Sequence, residues 1–163
     1  IKAMQTFKTV KVTEPKPGVF VYDLGYNFSG WPQVTARGRA GATVKLTPGE
    51  LVDQNGLVTQ RSSGGPTFFT YTLKGEGIES WHPRFSYSGF RYVQVEGAVP
   101  SGRTSSDASP PELLDLEGHF TRSSAQTVGH FECSNPLLNR IHAVILAAIE
   151  SNLQSVLTDC PHR

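Results

Sequence analysis

Through the first two thirds of the chain, apolar and polar residues alternate in short runs rich in β-branched and aromatic side chains, the period-two pattern of half-buried strands. Strands are predicted at Thr6 to Val12, Val19 to Leu24, Trp31 to Arg37, Thr43 to Thr47, Thr67 to Leu73, Trp81 to Tyr87 and Phe90 to Val95, with another at Leu113 to Phe120. Turn residues separate them. Gly38-Arg39-Ala40-Gly41 offers positive-φ positions for a hairpin, Asn55-Gly56 is a strong turn pair, and Ser62-Ser63-Gly64-Gly65-Pro66 interrupts any ladder. Gly25, Gly30 and Gly89 read as backbone turns. Ser101 to Pro111, polar and rich in serine and proline, reads as an exposed loop or linker. Short strands at this spacing, with 16 Gly and 11 Pro to punctuate them, favour a mainly β fold, an antiparallel sandwich of jelly-roll type, over a parallel sheet.

The pattern changes after Phe131-Glu132-Cys133-Ser134. Asn135 can cap a helix, Pro136 occupies the tolerated first position, and Leu138, Ile141, Ile145, Ala148 and Ile149 follow at helical spacing. Leu137, Val144 and Leu146 widen the apolar face. So broad a face needs more partners than one sandwich edge offers, so this helix, spanning most of Asn135 to Asn152, is expected to sit among other helices. The chain alone is then expected to expose a contiguous apolar patch and to associate.

A length of 163 residues suits one domain, or one domain and the beginning of the next. With 15 Lys and Arg against 14 Asp and Glu, the net charge is +1 and no basic stripe is built, so nucleic acid is not an expected partner. No window approaches the ~20 apolar residues that span a bilayer, so no membrane is expected either. Ile1-Lys2-Ala3-Met4-Gln5 lacks the layout of a signal peptide and reads as an internal or trimmed start, which leaves a periplasmic or extracellular parent open. Cys133 and Cys160 flank the predicted helix, whose ends lie about 25 Å apart at ~1.5 Å rise per residue; that argues against a bridge unless the loop folds back.

Candidate chemistry is sparse. Asp159, after Thr158, suits the cap of a turn or helix start. Cys160 beside His162 has no third group to orient the imidazole, so a thiol nucleophile is not favoured. His82, His119, His130, His142 and His162 show no ligand spacing; neither metal nor cofactor is expected. Trp31, Trp81, Tyr87 and Tyr92 could stack on sugar rings, but aromatics more often fill sandwich interiors. Arg84 and Arg91 could pair with Glu79, Glu96 or an acidic sugar, and exposed pairs of that kind are weak signals. Glu150 is the carboxylate nearest to Asp159 in sequence, although helical geometry is expected to place it elsewhere.

Four stretches carry a resemblance that composition could not supply. They are Tyr22-Asp23-Leu24-Gly25-Tyr26-Asn27-Phe28-Ser29-Gly30-Trp31, Pro83-Arg84-Phe85-Ser86-Tyr87-Ser88-Gly89-Phe90-Arg91-Tyr92-Val93, Phe131-Glu132-Cys133-Ser134-Asn135-Pro136-Leu137-Leu138-Asn139 and Asp159-Cys160-Pro161-His162-Arg163. In that order they resemble the bacterial α-L-rhamnosidases of glycoside hydrolase family 78. The resemblance implies a β-sandwich domain over 1–125 and, over 126–163, the truncated start of a helical catalytic domain, an (α/α)6 barrel in the parent. It implies an inverting hydrolase of terminal α-L-rhamnose, whose partners would be a rhamnose-containing glycan and the remaining barrel. Asp159 would hold the sugar hydroxyls and Arg163 would belong to the same substrate-binding loop. The general acid would follow Arg163 and the general base would lie far downstream, so no catalytic residue is expected in this chain. An alternative is an autonomous carbohydrate-binding module that uses its aromatic face without chemistry.

Overall fold

The computed structural model describes residues 1–63, 65–103 and 110–161. Chain order runs β1 (Lys2–Lys8), β2 (Lys11–Lys16), β3 (Val19–Arg37), β4 (Thr43–Gly49), β5 (Leu51–Val52), β6 (Val58–Thr59), β7 (Phe69–Thr72), β8 (Ile78–Trp81), β9 (Ser88–Glu96), β10 (Val99–Pro100) and β11 (Glu112–Arg122). Among the described residues a single helix, α1 (Pro136–Asn152), is followed by a hairpin of β12 (Leu153–Gln154) and β13 (Val156–Leu157). The main sheet has the order β1-β11-β3-β9-β4-β7, with β2 and β8 also on β3 and β10 on β11. Every pairing among the described strands is antiparallel except β10 with β11. The fold is the expected mainly β sandwich with one helix.

One long strand organises the sandwich. Two predicted strands, Val19 to Leu24 and Trp31 to Arg37, are the two halves of the 19-residue β3. Its first half lies between β2 and β9 and its second between β11 and β8, so the strand is shared as the sheet curls on itself. The register slips between Asp23 and Phe28, where Gly25 takes φ +77°. Asp23 fixes this irregularity. Its Oδ1 accepts from the Gly25 amide at 2.7 Å, and its carboxylate takes a two-point fork from Arg91 at 2.8 and 2.9 Å. Such bidentate pairs add direction as well as energy. The Arg91 guanidinium, assisted by the Gly25 amide, holds the Asp23 carboxyl below its ordinary range.

Inside the curl, Phe20, Leu24, Phe28, Val34, Val44, Leu46, Phe90, Val93, Val95 and Leu116 form one buried cluster. Phe28 is its hub, with the rings of Phe7 and Phe90 each 4.7 Å away. Full burial of side chains of this size contributes about 1.5–3 kcal/mol apiece. Strands come close here. A Cβ on Gly30 would stand 1.8 Å from the His119 carbonyl oxygen, so Gly30 permits the β3 and β11 backbones to approach and is not a turn. Gly89 likewise lies within β9; of the three glycines read as turns, only Gly25 has positive φ.

Other readings are corrected by changes of partner. Thr6 to Val12 is not one strand: β1 pairs with β11 and β2 with β3, and between them the Thr9 hydroxyl donates to the Leu116 carbonyl at 2.6 Å. The Gly38 to Gly41 segment makes no hairpin, because β9 lies between the strands it joins. Trp81 to Tyr87 is no strand beyond Trp81: Pro83 has no amide to donate and Phe85 adopts φ +59°. Asn55-Gly56 does turn β5 into β6, with Gly56 at φ +80°. Most of the Ser101 to Pro111 loop, 104–109, lies outside the described residues; at its start, Ser101 and Gly102 both donate to Glu112.

The helix begins as its sequence predicts. The Asn135 side chain accepts from the Leu137 amide at 2.9 Å and Pro136 follows the cap. Asn139 secures the incoming chain from one turn inside, accepting from the Cys133 amide at 3.0 Å and donating to its carbonyl at 2.8 Å. No residue of α1 is buried. Leu137, Leu138, Ile141, Val144, Ile145, Leu146 and Ile149 remain exposed, from 40% at Leu146 to 63% at Val144.

Candidate functional site

The segment that leads to Asp159 is held by four hydrogen bonds to the sandwich and two to the end of the helix. Leaving α1, the chain forms β12, turns at Ser155 with φ +66° and returns as β13. Ser123 brackets the turn: its amide donates to the Leu153 carbonyl at 2.7 Å and its hydroxyl accepts from the Ser155 amide at 2.8 Å. Between these contacts Gln154 enters the sandwich, only 7% exposed. Its Nε2 donates to the Thr121 carbonyl at 2.7 Å and to the Ser29 hydroxyl at 3.3 Å. Thr158 closes the loop, donating to the Asn152 carbonyl from its amide at 2.9 Å and from its hydroxyl at 3.1 Å. Asp159 is the next residue and is exposed at a bend.

Two hollows flank the segment, and Pro161 lines both. One, of about 260 Å³, is bordered by Asn27, Glu50, Gly89, Ser151 and Asn152. The other, of about 150 Å³, is bordered by Pro48, Gln60, Thr67, Tyr87 and Ser88. The Gln60 side chain shapes the second by bridging two strands' ends, donating to the Pro48 and Thr67 carbonyls and accepting from the Thr67 amide. The Asn27-Phe28 and Tyr87-Ser88-Gly89 stretches, distant in sequence, thus meet beside Pro161, two residues beyond Asp159.

The remaining candidates scatter. Arg163 and His162 lie outside the described residues. Glu150 is engaged by Arg122 at 3.1 Å on the side of α1 that faces the sandwich. Arg91 pairs with Asp23 rather than with Glu79 or Glu96, which instead accept from Tyr71 and Lys45. Both cysteines are free thiols. The four aromatics do not share a surface: Trp81 packs against the core and stacks on Tyr71 at 5.2 Å, Trp31 is stacked between His82 and His119, and Tyr92 lies under Arg91. Tyr87 borders the hollow beside Pro161, and Tyr92 borders a separate one with Lys11, Val52 and Gly56. The sugar-stacking platform considered for a carbohydrate-binding module is therefore not assembled.

A family model described as the bacterial alpha-L-rhamnosidase concanavalin-like domain matches residues 13–113. The chain belongs to this family. A second model, the bacterial alpha-L-rhamnosidase 6 hairpin glycosidase domain, matches residues 126–163. An alpha-L-rhamnosidase of Streptomyces avermitilis is 40% identical over 154 residues, which are 94% of this chain and 14% of that protein. The structure of an alpha-L-rhamnosidase from Dictyoglumus thermophilum superposes with a TM-score of 0.84 at 34% identity, covering 98% of this chain and 17% of that one. A Streptomyces avermitilis alpha-L-rhamnosidase structure complexed with L-rhamnose gives 0.82 at 37% identity, with 99% and 15% covered. The chain thus spans about a sixth of the length of these rhamnosidases.

Within the rhamnosidase family frame, three of the four signature stretches acquire structural work. Tyr22 to Trp31 is the shared middle of β3, Gly89-Phe90-Arg91 supplies its core ring and its fork, and Cys133 to Asn139 is the helix cap. Sequence reasoning missed the Asp23 to Arg91 fork and Gln154. The fork was detectable only as two charges in signature stretches. Gln154 carried a weaker signal still: one polar residue between Leu153 and Val156, in a segment too short to show periodicity.

Proposed function

We propose that this chain is the sandwich, residues 1–125, and the opening helical segment, residues 126–163, of an α-L-rhamnosidase that removes terminal α-L-rhamnose from glycosides or polysaccharides with inversion. Its partners are then a rhamnose-containing glycan and the remaining helices of the barrel, which cover the apolar face of α1. The observation that carries this reading is the superposition over nearly the whole chain on the Streptomyces relative complexed with L-rhamnose.

In this reading Asp159 holds sugar hydroxyls, as a carboxylate that accepts two hydrogen bonds at once, and Arg163 serves the same loop. The role suits its position, exposed at the bend that follows the pinned hairpin and two residues before Pro161, which lines both hollows. Inversion needs a carboxylic acid to protonate the leaving oxygen and a carboxylate to activate water on the opposite face, roughly 6.5–9.5 Å apart. Both are assigned beyond Arg163. Of the carboxylates beside α1, Glu150 is committed to Arg122 and Glu132 lies 3.6 Å from His130. The sandwich contributes support and the flank of the substrate site.

Rhamnose release from an aryl α-L-rhamnoside tests the reading, comparing this chain with one extended through the helical domain. Release only from the extended chain is expected, with a loss of about 100-fold or more in kcat/KM when Asp159 becomes Ala, given the weight of charged substrate contacts. No release from either chain would overturn it.

A further inference from the structure

The helix and the residue assigned to the sugar are fastened to the sandwich through a very small contact, and its centre is a buried amide. Nothing in α1 is buried, whereas Gln154, two residues beyond the helix, is 7% exposed. It reaches between β3 and β11 to satisfy the Thr121 carbonyl and meet the Ser29 hydroxyl. Buried polar groups of this kind fix one arrangement, because any displacement leaves donor and acceptor unpaired in a dry site. The loop then closes at Thr158 on the Asn152 carbonyl. Asp159 emerges with no free residue between it and that closure.

We propose that Gln154 is a positioning residue for substrate: it locks the 152–158 loop onto the sandwich and thereby sets the place of Asp159 against the hollows bordered by Asn27 and Tyr87. This rests on the rhamnosidase reading above. The sandwich is then part of the binding machinery through one side chain, although it supplies no catalytic residue. Gln154 acts on where the sugar is held, so its loss weakens binding more than it slows the chemical step.

The test uses the extended chain with Gln154→Met, which keeps length and removes the donor, and Val95→Ala as a core control in β9, where its strand partners are Phe20 and Leu46. Amide exchange at Thr158 and steady-state kinetics on an aryl α-L-rhamnoside are read together. The expected result for Gln154→Met is Thr158 exchange faster by about tenfold and KM raised by about tenfold, the scale of one buried hydrogen bond, with kcat within about threefold. Val95→Ala lowers thermal stability and moves neither. Unchanged Thr158 exchange in Gln154→Met overturns the lock, whatever the activity. Faster exchange with unchanged KM overturns its link to substrate. A wild-type extended chain that releases no rhamnose sinks the rhamnosidase reading instead, and the exchange data then decide the lock alone.

Discussion

The sandwich and the helix put their apolar side chains to opposite ends. In β3, β9 and β11, the rings and branched chains close on each other until Phe90, Val93 and Val95 are fully buried. In α1 a comparable set of Leu, Ile and Val stays exposed, and the helix meets the sandwich mainly along its Ala147, Glu150 and Ser151 side. Hydrophobic stabilisation scales with area removed from water. The sandwich therefore holds itself together, while the helix holds its shape through its cap, its backbone bonds and the hairpin that follows. The difference separates a region closed on its own core from one whose broad apolar face stays exposed.

Truncations to alanine should expose this contrast most sharply. Phe90→Ala is expected to destabilise the chain by about 3–5 kcal/mol, because it empties the centre of a packed cluster. Leu138→Ala on the helix should change stability by less than about 0.5 kcal/mol, as surface substitutions do. Urea midpoints of the two variants check both, and equal losses would break the comparison.

The sandwich's polar fastenings come next. Asp23→Asn removes the charge from the Arg91 fork and should lower stability by about 1 kcal/mol at neutral pH, modest because Arg91 is part-exposed. Its sign with pH follows from the depressed carboxyl. A group whose folded pKa lies below its unfolded value stabilises above the ordinary value of 3.8 and loses that contribution as pH falls through the folded value. Glu112 is also depressed, first by the Ser101 hydroxyl and then by the Gly102 amide and Arg37, and acts in the same direction. Unfolding midpoints at pH 7 and pH 3 should therefore drop steeply with acid in the wild type and less steeply in Asp23→Asn.

The smallest effect belongs to the helix cap. Asn135→Ala should weaken α1 by about 0.5–1 kcal/mol, visible as lost helical circular dichroism with the sandwich transition unmoved. A shift of the whole transition would mean that helix and sandwich unfold together.

Much of this fold was legible because period and capping are local. The strands from Thr43, Phe90 and Leu113 and the helix from Asn135 lie where alternation, the 3.6-residue repeat and the Asn-Pro pair place them. Partner choice was not legible. Nothing within Thr6 to Val12 says that the chain changes from β11 to β3 at Thr9, nor does any local signal fuse Val19 to Leu24 with Trp31 to Arg37 across Gly25. The candidate site divides likewise. Asp159 came from family resemblance, whereas Gln154 is defined by a carbonyl on Thr121 and a hydroxyl on Ser29, which only the folded chain brings together.

The most direct test of the contrast between the two regions is amide exchange across this chain and across the same chain extended through the helical domain. In the shorter chain, β3, β9 and β11 should exchange only through global unfolding, while α1 should exchange orders of magnitude faster and become protected when the extension is present. Protection of α1 equal to that of β9 in the shorter chain would contradict the account, since the helix would then need no further partner.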